Sequence, residues 1–183
     1  MSIAKEVRLI YDHYRFRINK RRKKTTIHTE VIYSDKIWKE VKDYVNKGKK
    51  AIWYVMTPVN IDFTRATFGY SGTDKQFERL LISRYKWLQE REQEIQLHVH
   101  LHVALPLLDE KESWKVQEDK IKKSLEWMKK NGFDVDKIVF GWWSYDKISM
   151  KLAKKYGLEV IHPYDYFYFH DYELILPGKW TDK

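Results

Sequence analysis

Two hydrophobic rhythms take turns along this chain, and their alternation restricts its fold more than any other feature. TTIHTEVIY (25–33) is β-branched with a period of two and reads as a strand. SDKIWKEVKDYVNKGKK then places Ile37, Trp38, Val41 and Val45 at helical spacing, with Ser34 as N-cap and Gly48 as stop. AIWYVMTPV (51–59) is almost wholly apolar and ends at a proline, as a strand buried on both faces would. NIDFTRATFGYSGT (60–73) carries loop chemistry. A helix follows over 74–93, its apolar face formed by Phe77, Leu80, Leu81, Tyr85 and Leu88. EIQLHVHLHVAL is a third strand, and the next segment is helical from Ser113 to Gly132. DKIVFGWWS (136–144) is a fourth strand, YDKISMKLAKKYG a short helix closed by Gly157, and LEVIHPYDY (158–166) a fifth strand. YELILPG (172–178) is a candidate sixth.

Single helices between strands are long enough for parallel crossovers. The chain is therefore α/β, with a mostly parallel sheet, either doubly wound or an incomplete (β/α) barrel. We expect one α/β domain over 25–183, preceded by a basic segment, 1–24.

Both α/β architectures place their sites at the carboxyl ends of parallel strands. Five of the seven histidines fall at such ends. His98, His100 and His102 stand at alternate positions of one strand and so share a face, while Leu97, Val99, Leu101 and Val103 face the helices. Neighbours in such a row are about 7 Å apart at Cα, within reach of one ion; the outer pair would be about 13 Å apart. His28 and Glu30 repeat the device on the first strand, and His162 and Asp165 lie at the fifth. An isolated strand histidine is usually a hydrogen-bonded interior residue. Three adjacent imidazoles in an apolar layer, however, cost desolvation free energy unless each finds a partner. Two imidazoles and a carboxylate are a common ligand set for catalytic zinc. With no cysteine in the chain, thiolate ligation and disulfides are excluded.

The order of these pieces resembles the polysaccharide deacetylase superfamily, carbohydrate esterases built on a distorted (β/α) barrel. KKAIWYVMTP (49–58) is similar to that family's second strand, and REQEIQLHVHLH (91–102) to its metal-binding segment, whose two histidines lie four residues apart. The passage 123–161 matches the family's later helix–strand–helix–strand order, so the resemblance covers about residues 25–165. It implies a metal-dependent hydrolase that removes an N-acyl group from a carbohydrate-like substrate, with zinc or a similar divalent ion as cofactor. His98 and His102 would hold the ion, with Glu30 as third ligand or base. His28, His100 and His162 would transfer protons or contact substrate, with Asp165 orienting His162. Trp142 and Trp143 would stack on a sugar face. The family's paired aspartates are replaced by TIHTE, its arginine motif by GWWS, and LILPG (174–178) lacks the final histidine. A non-catalytic relative that binds a glycan is the second expectation.

A third arises from charge. The chain carries a formal net charge of +9, concentrated at Arg15–Lys24. Such a cluster suits phosphate neutralisation by a nucleic-acid-associated protein, or a solvated lysine-rich surface. The N-terminus lacks the apolar block of a secretory signal, and no run approaches the roughly 20 apolar residues of a membrane span, so the expected location is cytoplasmic.

Overall fold

The structure is a computed structural model that describes residues 25–28, 30–101, 110–141 and 145–161. Its strands are β1 (Thr25–His28), β2 (Ala51–Val55), β3 (Glu94–Val99), β4 (Lys137–Phe140) and β5 (Glu159–Val160). They form one parallel sheet in the order β1-β2-β3-β4-β5. The helices are α1 (Asp35–Asn46), α2 (Ile61–Phe68), α3 (Asp74–Gln89), α4 (Glu110–Lys130) and α5 (Lys147–Lys155).

Strand order decides between the two architectures that the alternation allowed. A doubly wound sheet reverses direction at a switch point and sends helices to both faces. Here the order never reverses. Right-handed crossovers then put successive helices on one side, the winding of a (β/α) barrel left open among the described strands.

The two faces of the sheet differ accordingly. Ile27, Trp53, Val55, Ile95, Leu97, Val99, Ile138 and Phe140 pack against Ile37 and Val41 of α1, Phe77, Leu81 and Tyr85 of α3, Ile121 and Met128 of α4, and Leu152 of α5. The opposite face holds a smaller apolar group, Ile52, Tyr54 and Val139 with Ile161, and the strand histidines lie among these alternate positions.

Several boundaries differ from the sequence reading, each for a physical reason. β1 ends at His28, and residues 30–33 form a turn whose Val31 and Ile32 are buried in the helix-side core rather than extended. The expected loop 60–73 contains α2, which follows a short 3-10 turn at Pro58–Asn60 and ends at Gly69, where φ is +68°. Proline at the turn's first position and a left-handed glycine at the end are helix punctuation that loop-like composition disguised. α3 stops at Gln89, β3 at Val99, and α4 already begins at Glu110. Leu80 on α3 is only half-buried. The candidate sixth strand, 172–178, and the basic cluster 15–24 lie outside the described residues. Among the described residues no helix is long and apolar enough to cross a membrane.

Arg84 ties α3 to the turn after β1. Its guanidinium, buried in the chain, donates to the carbonyls of Ile32 and Ser34 and to the Asp35 carboxylate, and it lies 5.3 Å from the Trp38 ring centroid. Arg84→Met would leave two carbonyls without their donor. Because the Asp35 side chain is 95% exposed, the loss should fall short of that for a fully buried ion pair. We expect about 2 kcal/mol of destabilisation, read from the midpoint of urea unfolding.

Candidate metal centre

Parallel strands in register deliver polar side chains to one end of the sheet. Glu30 follows β1 by two residues, His98 is on β3, and His100 lies just past its last hydrogen-bonded residue. All three are buried, with exposures of 4%, 0% and 3%. The Glu30 carboxylate lies 2.9 Å from Nε2 of His100 and 3.5 Å from Nε2 of His98. One ligand atom from each residue can be chosen so that all lie within 4.8 Å of one another. The alternation of an extended strand accounts for this: residues two apart share a face, and both rings lean toward the carboxylate.

Aromatic packing holds the cluster. The His98 and His100 rings stack with centroids 4.8 Å apart, and His28 meets His98 edge-on at 5.1 Å. Phe63, on α2, stacks on His100 at 3.7 Å. The backbone N–H of His100 donates to Oδ1 of Asn60 at 3.2 Å. Gly141 lies beside the same ring, where a Cβ would stand 2.2 Å from its Cε1 and Nδ1.

Electrostatics keeps His98 and His28 in the form that binds metals. Burial holds His98 well below the usual imidazole range, reinforced by His100 and His28 and opposed by Glu30. Burial likewise pushes His28 down to about 4, opposed by Glu30 and reinforced by His100. A neutral ring offers a lone pair, whereas an imidazolium does not. His98 also passes a test of fit. Both its ring nitrogens are buried without a hydrogen-bond partner among the described residues. An orphaned buried polar atom costs about 1–3 kcal/mol, and a divalent ion would recover that cost for the one ring nitrogen it binds. The donor set of two imidazoles and one carboxylate, with short distances between them, fits such an ion.

Depressed imidazole pKa values have a consequence for stability. Between pH 6.5 and about 4 the unfolded chain takes up a proton at His28 that the folded chain refuses, with Tyr54, Glu30, His98 and His100 facing it. Stability of the metal-free protein should therefore fall as pH drops through that window and stay level above it, by on the order of 2 kcal/mol. Denaturant midpoints at pH 7.5 and 4.5 read the difference.

The structure thus brings together Glu30, His98, His100 and His28. His102, Trp142, Trp143, His162 and Asp165 lie outside the described residues. His100, expected to touch substrate, stands against the carboxylate itself. Asn60 and Phe63 are part of the same wall, whereas Asp62 is exposed and faces Arg65 at 3.7 Å. Burying Asn60 and Phe63 required the short turn and helix that the sequence reading took for loop. The signal for Gly141 was present in GWW, a strand end where a glycine lets another group approach closely.

No family model matches the chain, and no curated protein does. Solved structures do. The wild-type form of a CE4 family pseudoenzyme from Bacillus anthracis superposes with a TM-score of 0.52 at 12% identity, over 75% of this chain and 41% of that one. A mutant of the same protein, described as having restored enzymatic activity, gives 0.53 at 12% identity, over 76% and 43%. A further mutant gives 0.53 over the same shares. This chain spans about two fifths of the length of those proteins. Over about three quarters of its length, the chain shares the fold of these CE4 family pseudoenzyme structures.

Proposed function

We propose that the chain binds a divalent metal ion, zinc or one of similar preference, through Glu30, His98 and His100, and uses it to hydrolyse an N-acyl group on a carbohydrate-like substrate. The convergence of one buried carboxylate and two buried imidazoles at the carboxyl end of the sheet carries this reading. Bound there, the ion supplies Lewis acidity that polarises an acyl carbonyl and makes water more acidic.

The chain's own residues have separate tasks. Glu30 contributes negative charge and accepts from whichever imidazole nitrogen bears hydrogen. His98 and His100 offer Nε2 toward it. His28, edge-on to His98 and held neutral by burial, is a further group able to accept a proton. From the sequence we add His102 as a further ligand candidate, His162 with Asp165 as a proton-transfer pair, and Trp142 and Trp143 as a platform for a sugar face. The zinc- or cobalt-loaded protein should release acetate from N-acetylated chito-oligosaccharides, and a chelator should stop it.

A second reading has its own support. The fold neighbours are described as pseudoenzymes, and TIHTE lacks the family's paired aspartates. In that case the metal-loaded protein retains the oligosaccharide and releases no acetate. The assay separates the two readings, since both product and retained glycan can be measured in one sample. The nucleic-acid reading rests on the 15–24 cluster alone.

A further inference from the structure

Asn60 closes the 3-10 turn that follows β2, and its side chain is 2% exposed. Because the backbone N–H of His100 can only donate, the atom 3.2 Å from it must be the amide oxygen, which fixes the orientation of the whole group. Nδ2 is then a donor, buried, with no hydrogen-bond partner among the described residues. Nearby buried polar groups are matched: Thr57 with the Ser124 hydroxyl, and Thr64 with the Asn60 carbonyl. Beside the His98 ring, this donor is a second orphaned buried polar group in the same wall. It sits an amide's width from the backbone of His100, whose ring faces Glu30, and Phe63 from the same segment covers that ring.

We propose that Asn60 Nδ2 donates a hydrogen bond to an oxygen of the ligand's acyl group, the carbonyl of an acylated substrate or a carboxylate oxygen of the released acid. The inference rests on the metal-binding reading above and adds a substrate contact to it. A neutral donor fixed by a backbone bond is already oriented before a ligand arrives, so little rotamer freedom is lost on binding. It also selects for chemistry. It suits an oxygen acceptor and leaves an ammonium or other donor-only group unmatched.

Acetate is the simplest probe, and cobalt(II) reports on it through its visible absorption. Wild-type protein loaded with cobalt should change spectrum as acetate is added. Asn60→Asp preserves the shape and the acceptor for His100 N–H but replaces the donor by an oxygen; it should still take up cobalt while acetate binding weakens at least tenfold. Equal acetate affinity in wild type and Asn60→Asp would overturn the assignment, as would a cobalt-loaded wild type that ignores acetate. A wild type that takes up no cobalt would instead remove the metal reading, and this inference with it, a result distinguishable from the other two.

Discussion

Glu30→Gln should lose divalent metal almost completely while making the metal-free protein more stable. Glutamine keeps the shape of the side chain and removes its charge. Substituting residues that merely support metal ligands costs 10- to 100-fold in affinity, so removing a ligand's charge should cost more, about a thousandfold for zinc or cobalt. The opposite sign for the metal-free protein follows from burial. Glu30 is 4% exposed, and among the described residues the groups within ion-pair distance of it that could be cationic are His98 and His100. His98 is held neutral by burial. A buried carboxylate without a fixed cation bears a desolvation penalty that an amide bears far less. We expect Glu30→Gln to raise the metal-free melting temperature by a few degrees, on the order of 1 kcal/mol. Adding metal should then stabilise wild type and leave the variant unmoved. Thermal melts with and without zinc read both effects. A carboxylate serving only as a core hydrogen-bond acceptor would give no metal-dependent difference between the two proteins.

Gly141→Ala should damage the site through packing alone. The added Cβ would stand 2.2 Å from two atoms of the His100 ring, far inside any van der Waals contact. The ring has little room to yield, with Phe63 stacked on it at 3.7 Å and Glu30 hydrogen-bonded at 2.9 Å. Overpacking of this kind costs about 1–3 kcal/mol, and the displaced imidazole should lower metal affinity by about a hundredfold. Gly48→Ala supplies the comparison. At φ +74° it bears backbone strain, but nothing lies within 4 Å of its Cβ. It should lose about 1 kcal/mol and bind metal normally. Calorimetric metal titrations of both variants separate a site effect from a general loss of stability.

Much of the sheet was legible because the chain alternates period-two and helical patterns, and because AIWYV reads as buried on both faces. What the pattern left open was the winding, since helix–strand alternation is common to doubly wound sheets and barrels; pairing of each strand with its sequence neighbour settled it. In the site, strand parity put His98 and His100 on one face, and IHTE put Glu30 at the corresponding end of β1. The distance between these two groups was not readable, because it depends on register across β2, which pairs Tyr54 with both His28 and Gln96. The resemblance pointed to a histidine pair four residues apart, whereas the described contacts to Glu30 come from a pair two apart. Asn60 was readable as a polar residue at the end of the second strand, but Phe63 escaped because its role arises from a helix hidden in loop-like sequence, and no periodicity over eight residues announces which side of so short a helix will meet an imidazole.

The decisive measurement is X-ray absorption spectroscopy of the protein loaded with one equivalent of zinc, on wild type and on the His98→Ala/His100→Ala double variant. Wild type should hold one tightly bound ion in a shell of imidazole nitrogen and carboxylate oxygen, and the double variant should retain none after desalting. An ion retained with an unchanged shell in the double variant, or a wild type that holds no zinc, would contradict a metal centre built from Glu30, His98 and His100.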